Sequence, residues 1–67
     1  MSDGTRDPRV GDVWERDGEL REVTYITASD VYWRHPGETR EKRTRTRWLY
    51  WRAWAYKARL VTEGERR

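Results

Sequence analysis

The chain has no cysteine, phenylalanine, asparagine or glutamine, one histidine and two prolines. Without cysteine there can be no disulfide and no thiolate ligand. A zinc site needs several nitrogen or sulfur donors, so His35 alone does not make one. Without Asn or Gln, the amide side chains that read adenine edges are missing. No apolar run approaches the ~18 residues of a membrane span. The first residues, Met1-Ser2-Asp3-Gly4, are acidic and lack the apolar centre of a signal peptide. The missing cysteine also fits a reducing compartment. These absences predict a cytoplasmic domain with no metal, no cofactor, no membrane contact and no small-molecule substrate.

A chain of 67 residues has room for one domain, 1–67. A domain this short buries only about 60% of its unfolded surface, so its core is marginal. Charged residues make up 40% of the chain and the mean hydropathy is −1.30. That composition leans toward disorder. Five Trp and four Tyr argue the other way, because each ring can bury about 150–250 Å². The expectation is an ordered body over about 9–61, with flexible ends at 1–7 and 62–67.

Charge is unevenly placed. Residues 1–33 hold four Arg and eight acids, a net of −4. Residues 34–59 hold nine Lys and Arg against Glu38 and Glu41, a net of +7. A basic half suggests an anionic partner. The alternative is a self-complementary fold, in which the acidic half pairs with the basic half across adjacent strands.

Val10 to Arg16 reads as a first strand. Asp17-Gly18 is a two-residue hairpin signal. Leu20 to Thr27 reads as a second strand, with Val23, Tyr25 and Thr27 on one face and Leu20, Thr24 and Ile26 on the other. Ala28-Ser29-Asp30 is a turn. Val31 to Arg34 is a third strand, with Val31 and Trp33 on one face and Tyr32 on the other. In His35-Pro36-Gly37-Glu38, Pro second and Gly third suit a type II turn. The fourth strand, about Thr39 to Thr46, has no aliphatic residue. Arg43, Arg45 and Arg47 lie on one face, and Lys42, Thr44 and Thr46 on the other. Trp48, Trp51, Ala55 and Ala58 then follow helical spacing beside a stripe of Leu49, Ala53 and Tyr56. This predicts a short helix over Trp48 to Ala58, N-capped by Thr46, with Lys57 and Arg59 at its last turn. A strand is the rival reading of this segment. Arg59-Leu60-Val61 reads as a final strand. The whole is mainly β: a small curled antiparallel sheet or barrel of four to five strands with one short C-terminal helix.

Val10-Gly11-Asp12-Val13-Trp14, Arg21-Glu22-Val23, Val31-Tyr32-Trp33-Arg34, Trp51-Arg52-Ala53-Trp54 and Ala58-Arg59-Leu60-Val61 together resemble small uncharacterised proteins encoded by phages and prophages. Those proteins are similar in plan to Src-homology-3-like barrels. The resemblance covers about residues 9–61. It implies a fold and a phage or prophage setting in a host cytoplasm, and no catalytic residue.

The segment Arg40-Glu41-Lys42-Arg43-Thr44-Arg45-Thr46-Arg47 carries the candidate chemistry. On a strand, Arg43, Arg45 and Arg47 would form a row spaced roughly 6.5–7 Å apart, the two-residue rise. Such a row can contact successive phosphates, and the planar guanidinium forms paired hydrogen bonds with them. The bland alternative is an edge strand kept soluble by charge. Nearby aromatics could stack bases. Trp14, Trp33 and Trp51 are expected in the core, leaving Tyr50 and Trp54 as candidate exposed contacts. The candidate nucleic-acid-binding set is therefore Arg40, Lys42, Arg43, Arg45, Arg47, Arg52, Tyr50 and Trp54, acting mostly on the backbone. A second class is a protein-interaction module, an inhibitor of a host complex or a small virion component, with Trp54, Tyr50 and Arg52 as anchors. A homo-oligomer joined through exposed aromatics is a third. No nucleophile–base set or phosphate-binding glycine loop is present, so the expected class is not an enzyme.

Overall fold

Two tight turns set the strand frame. Asp17 and Gly18 both adopt positive φ, 52° and 86°, the geometry of a two-residue hairpin turn whose twist matches its flanking strands. They join β1 (Val13–Arg16) to β2 (Glu19–Ile26), with Arg16 opposite Glu19. After β3 (Asp30–Arg34), Gly37 sits at φ 95° and the Glu38 N–H donates to the His35 carbonyl at 3.0 Å. This is the type II turn that the Pro-Gly pair predicts.

The computed structural model describes residues 7–64, with Arg40 described by its backbone alone. Beyond β3 come a single 3-10 turn over Arg40–Lys42, β4 (Thr44–Arg47), α1 (Trp48–Ala55) and β5 (Arg59–Thr62). The strands form one antiparallel sheet in the order β4-β3-β2-β1-β5. The sheet does not close, so β4 and β5 are its edges. A mainly β fold with a small curled sheet and one short C-terminal helix is the architecture found. No helix among the described residues is long and apolar enough to cross a membrane.

The core lies between the inner sheet face and α1. Trp14, Val23, Val31, Trp33, Trp51, Ala55 and Ala58 are buried there, with Ile26, Trp48, Trp54 and Leu60 packed against them. Full burial of one bulky apolar side chain contributes about 1.5–3 kcal/mol, so a few tryptophans replace the aliphatic core that the composition lacks. Trp51 and Ala55 carry α1 onto the sheet, as the 48–51–55–58 stripe predicts. Asp12 is buried as well. Its carboxylate accepts from the Arg9 N–H (2.8 Å), the Trp14 indole (3.3 Å) and the Gly64 N–H (2.5 Å). A buried charge needs such partners, and this one ties the chain before β1 to the chain after β5.

Several expectations are corrected. The first strand begins at Val13 rather than Val10, because Gly11, Asp12 and Val10 belong to the approach held by Asp12. The fourth strand begins at Thr44 rather than Thr39, since the 3-10 turn occupies 40–42. The helix ends at Ala55, and Lys57 and Arg59 lie beyond it. Thr46 is not its N-cap. Arg47 holds that position without a side-chain cap bond, and the Thr46 hydroxyl instead accepts from the Trp33 indole at 2.8 Å. Thr62 is in β5, and the Gly64 N–H donates to Asp12. Of the expected flexible ends, 1–7 and 62–67, residues 1–6 and 65–67 lie outside the described residues.

The largest correction concerns Tyr25. The β2–β3 register shifts between Val23 and Tyr25, leaving Thr24 as the extra residue of a bulge. A bulge breaks the two-residue alternation. Val23 pairs with Trp33 on the inner face, whereas Tyr25 pairs with Tyr32 on the outer face. Tyr25 and Val23 therefore do not share a face.

Candidate functional site

Because Val31 and Trp33 face inward, their neighbour Tyr32 faces outward. The β3–β4 register then decides β4: Thr44 and Thr46 lie opposite Trp33 and Val31, and Arg45 and Arg47 lie opposite Tyr32 and Asp30. The all-polar strand is thus sorted by pairing rather than by hydrophobicity. Its threonines go inward, where Thr46 serves the Trp33 indole, and its arginines go outward.

Arg43, just before β4, places its guanidinium 4.9 Å from the centre of the Tyr32 ring. Tyr25 lies beside that ring, with centroids 5.8 Å apart and planes tilted by 54°. Tyr25 is 53% exposed, and Arg43, Arg45 and Arg47 are exposed. Tyrosine and arginine therefore interleave on one outer surface. Two hollows flank it. One, about 360 Å³, is lined by Tyr25, Arg34 and Arg43 among others. The other, about 510 Å³, is lined by Arg45 and Arg47 together with Leu49 and Tyr50 of α1. The Asp30 carboxylate borders the second hollow and accepts from the Ser29 hydroxyl at 2.7 Å.

The electrostatics separate two kinds of arginine. Ion pairs join Arg9 to Glu63, Arg16 to Asp17, Arg21 to Glu19, Arg34 to Glu22, Arg52 to Asp7 and Arg59 to Glu15. The Arg34–Glu22, Arg52–Asp7 and Arg59–Glu15 pairs are the expected link between the acidic and basic halves. Arg43, Arg45, Arg47, Lys42 and Lys57 have no carboxylate at ion-pair distance among the described residues. The Arg59 guanidinium, by hydrogen bond and by charge, holds the Glu15 carboxyl below its ordinary value. Burial pushes Glu19 up, but the Arg21 guanidinium, the Trp54 indole and the charge of His35 outweigh it and leave that carboxyl lowered.

The predicted residues divide accordingly. Arg43, Arg45 and Arg47 come together on the outer face, and Tyr50 meets the last two across the second hollow. Lys42 is exposed at the end of the 3-10 turn. The Arg40 side chain lies outside the described part. Arg52 sits on α1, 5.4 Å above the Trp48 ring and 3.5 Å from Asp7. Trp54 is not an exposed contact. It is half-buried against the core, with the Arg21 guanidinium 4.1 Å from its ring. Sequence reasoning missed Tyr25, whose outward position depends on the bulge at Thr24. Among the described residues no group of three or more His, Asp or Glu is placed to hold a metal.

No family model, no curated protein and no solved structure matches this chain.

Proposed function

We propose that the chain is a non-enzymatic binding module that contacts the nucleic-acid backbone through the outer face of β4. One observation carries this reading: Arg43, Arg45 and Arg47 are exposed on one side of an edge strand with no carboxylate partner among the described residues. Six other arginines take up nearby acids, whereas among the described residues these three arginines, with Lys42 and Lys57, do not. Unpaired guanidinium groups bind phosphate without first breaking an ion pair. The tyrosines beside them add ring surface, while the chain's lack of Asn and Gln limits base readout.

Fluorescence-anisotropy titration with a mixed-sequence oligonucleotide tests the reading. Three phosphate contacts to a single strand give a log–log salt slope of about −2. Affinity should then fall by roughly 20-fold between 50 and 200 mM salt. Absence of binding at 50 mM, or binding insensitive to salt, would overturn it.

A second reading draws on the outward side of α1, where Leu49 is 72% exposed and Tyr50 and Tyr56 are each 65% exposed. Such a patch suits a protein contact. Salt-insensitive self-association in sedimentation velocity would favour it, and a monomer at all salt concentrations would count against self-contact.

A further inference from the structure

We infer that the outer face takes single-stranded nucleic acid in preference to duplex, with bases stacked on Tyr25 and on the Tyr32–Arg43 pair while Arg45 and Arg47 hold the backbone. This rests on the backbone reading above and names the ligand class for the same surface.

The surface holds more than a phosphate site requires. A row of arginines alone would serve a duplex, whose base faces are hidden in its stack and whose phosphates are all it offers outside the grooves. Here the row is interleaved with rings. Tyr32 lies directly across from Arg45 in the register. Arg43 covers Tyr32 at 4.9 Å, adding a planar guanidinium on which a base can also stack. Tyr25 adjoins them at 5.8 Å with more than half its surface open. Packing does not require the Tyr25 ring, because Val23 and Ile26 supply the core side of β2. The bulge at Thr24 delivers that ring to the arginine face.

The order along the strands suits a flexible strand. From Arg43 to Arg47 the path is about 13 Å at the usual rise per residue. It begins at the hollow lined by Tyr25, Arg34 and Arg43 and ends at the hollow lined by Arg45, Arg47 and Tyr50. Unstacked bases can enter both hollows while the intervening phosphates lie over the guanidinium groups. Stacking on tyrosine is tolerant of base identity, so the preference concerns strandedness rather than sequence.

The test uses the full chain and three probes of about ten residues at one low salt concentration. These are a mixed-sequence DNA single strand, its duplex, and an abasic strand with the same number of phosphates. The single strand should bind about tenfold more tightly than either of the others. Tyr25→Ala should lower single-strand affinity by about fivefold or more and leave duplex and abasic binding unchanged, while Tyr25→Phe should retain the wild-type preference. Equal binding of the single strand and the abasic strand, or a preference for duplex, would overturn base stacking while leaving backbone contact in place. Absence of binding by all three probes would overturn the backbone reading and this inference with it. The three-probe comparison uses the unmodified chain, so it does not depend on how a variant folds.

Discussion

Arg21 and Arg43 make the same kind of contact in opposite settings. Arg21 lies between two indoles, 4.0 Å from Trp33 and 4.1 Å from Trp54, and Glu19 holds it at 2.9 Å. Its side chain is only 15% exposed. Arg43 lies over one ring, Tyr32, and is open to solvent without a carboxylate partner among the described residues. The first guanidinium is committed to the fold: it closes the rim of the core where an indole would otherwise meet water. The second leaves its hydrogen-bond donors available. Proximity of arginine to aromatic rings therefore does not identify a binding surface by itself. The deciding feature is whether an acid has already taken the charge.

The sharpest break of this comparison is Arg21→Ala. Removing a desolvated guanidinium from both indole faces at once should cost about 2 kcal/mol, seen as a lower midpoint in urea denaturation, with the salt slope of nucleic-acid binding unchanged. Arg43→Ala/Arg45→Ala should do the reverse. Oligonucleotide affinity should fall about tenfold, which is about 1.4 kcal/mol, and the slope should flatten by about 1.4, while stability stays within about 0.5 kcal/mol. If this double variant unfolded more readily than Arg21→Ala, the division of roles would be wrong.

A smaller effect separates the two faces of β4 itself. Thr46→Val removes the acceptor of the Trp33 indole and should cost about 1 kcal/mol in thermal or chemical denaturation. Binding should not change, because Thr46 lies on the inner side. The smallest effect is on acid stability. Glu15 and Glu19 have folded-state values below their ordinary 4.5. Each therefore contributes stability that is present above the unfolded value and is lost as pH falls through the folded one. Stability should be flat above about pH 5 and decline below about pH 4.5. Glu19→Gln should make that decline shallower in acid titration followed by tryptophan fluorescence.

Much of the fold was legible in the sequence where turn chemistry was local. Asp17-Gly18 and Pro36-Gly37 are set by φ preferences of the residues themselves, and both turns form as expected. The buried pair Trp51 and Ala55 was legible because helical period and core packing agree; Ala58 is buried too, but beyond the end of the helix. The outward position of Tyr25 was not, because a bulge depends on the partner strand and leaves no mark in the alternation of β2. The packing of Trp54 was not legible either. Its ring is covered by Arg21, far away in the chain, and no local pattern encodes that contact. The site was partly legible. The parity of Arg43, Arg45 and Arg47 follows from the strand period, but which arginines keep their charge free depends on where each acid falls in the folded sheet. The helix face of Leu49, Ala53 and Tyr56 was visible as a stripe and is exposed rather than packed.

The central claim is that free and committed arginines differ in what they can bind. Side-chain Nε–H spectra of the 15N-labelled chain, recorded while a single-stranded oligonucleotide is added, test it residue by residue. The account predicts that the Arg43, Arg45 and Arg47 signals shift with oligonucleotide concentration, while those of Arg21, Arg34 and Arg59 stay in place. Shifts at Arg21, Arg34 and Arg59 with none at Arg43, Arg45 and Arg47 would contradict it.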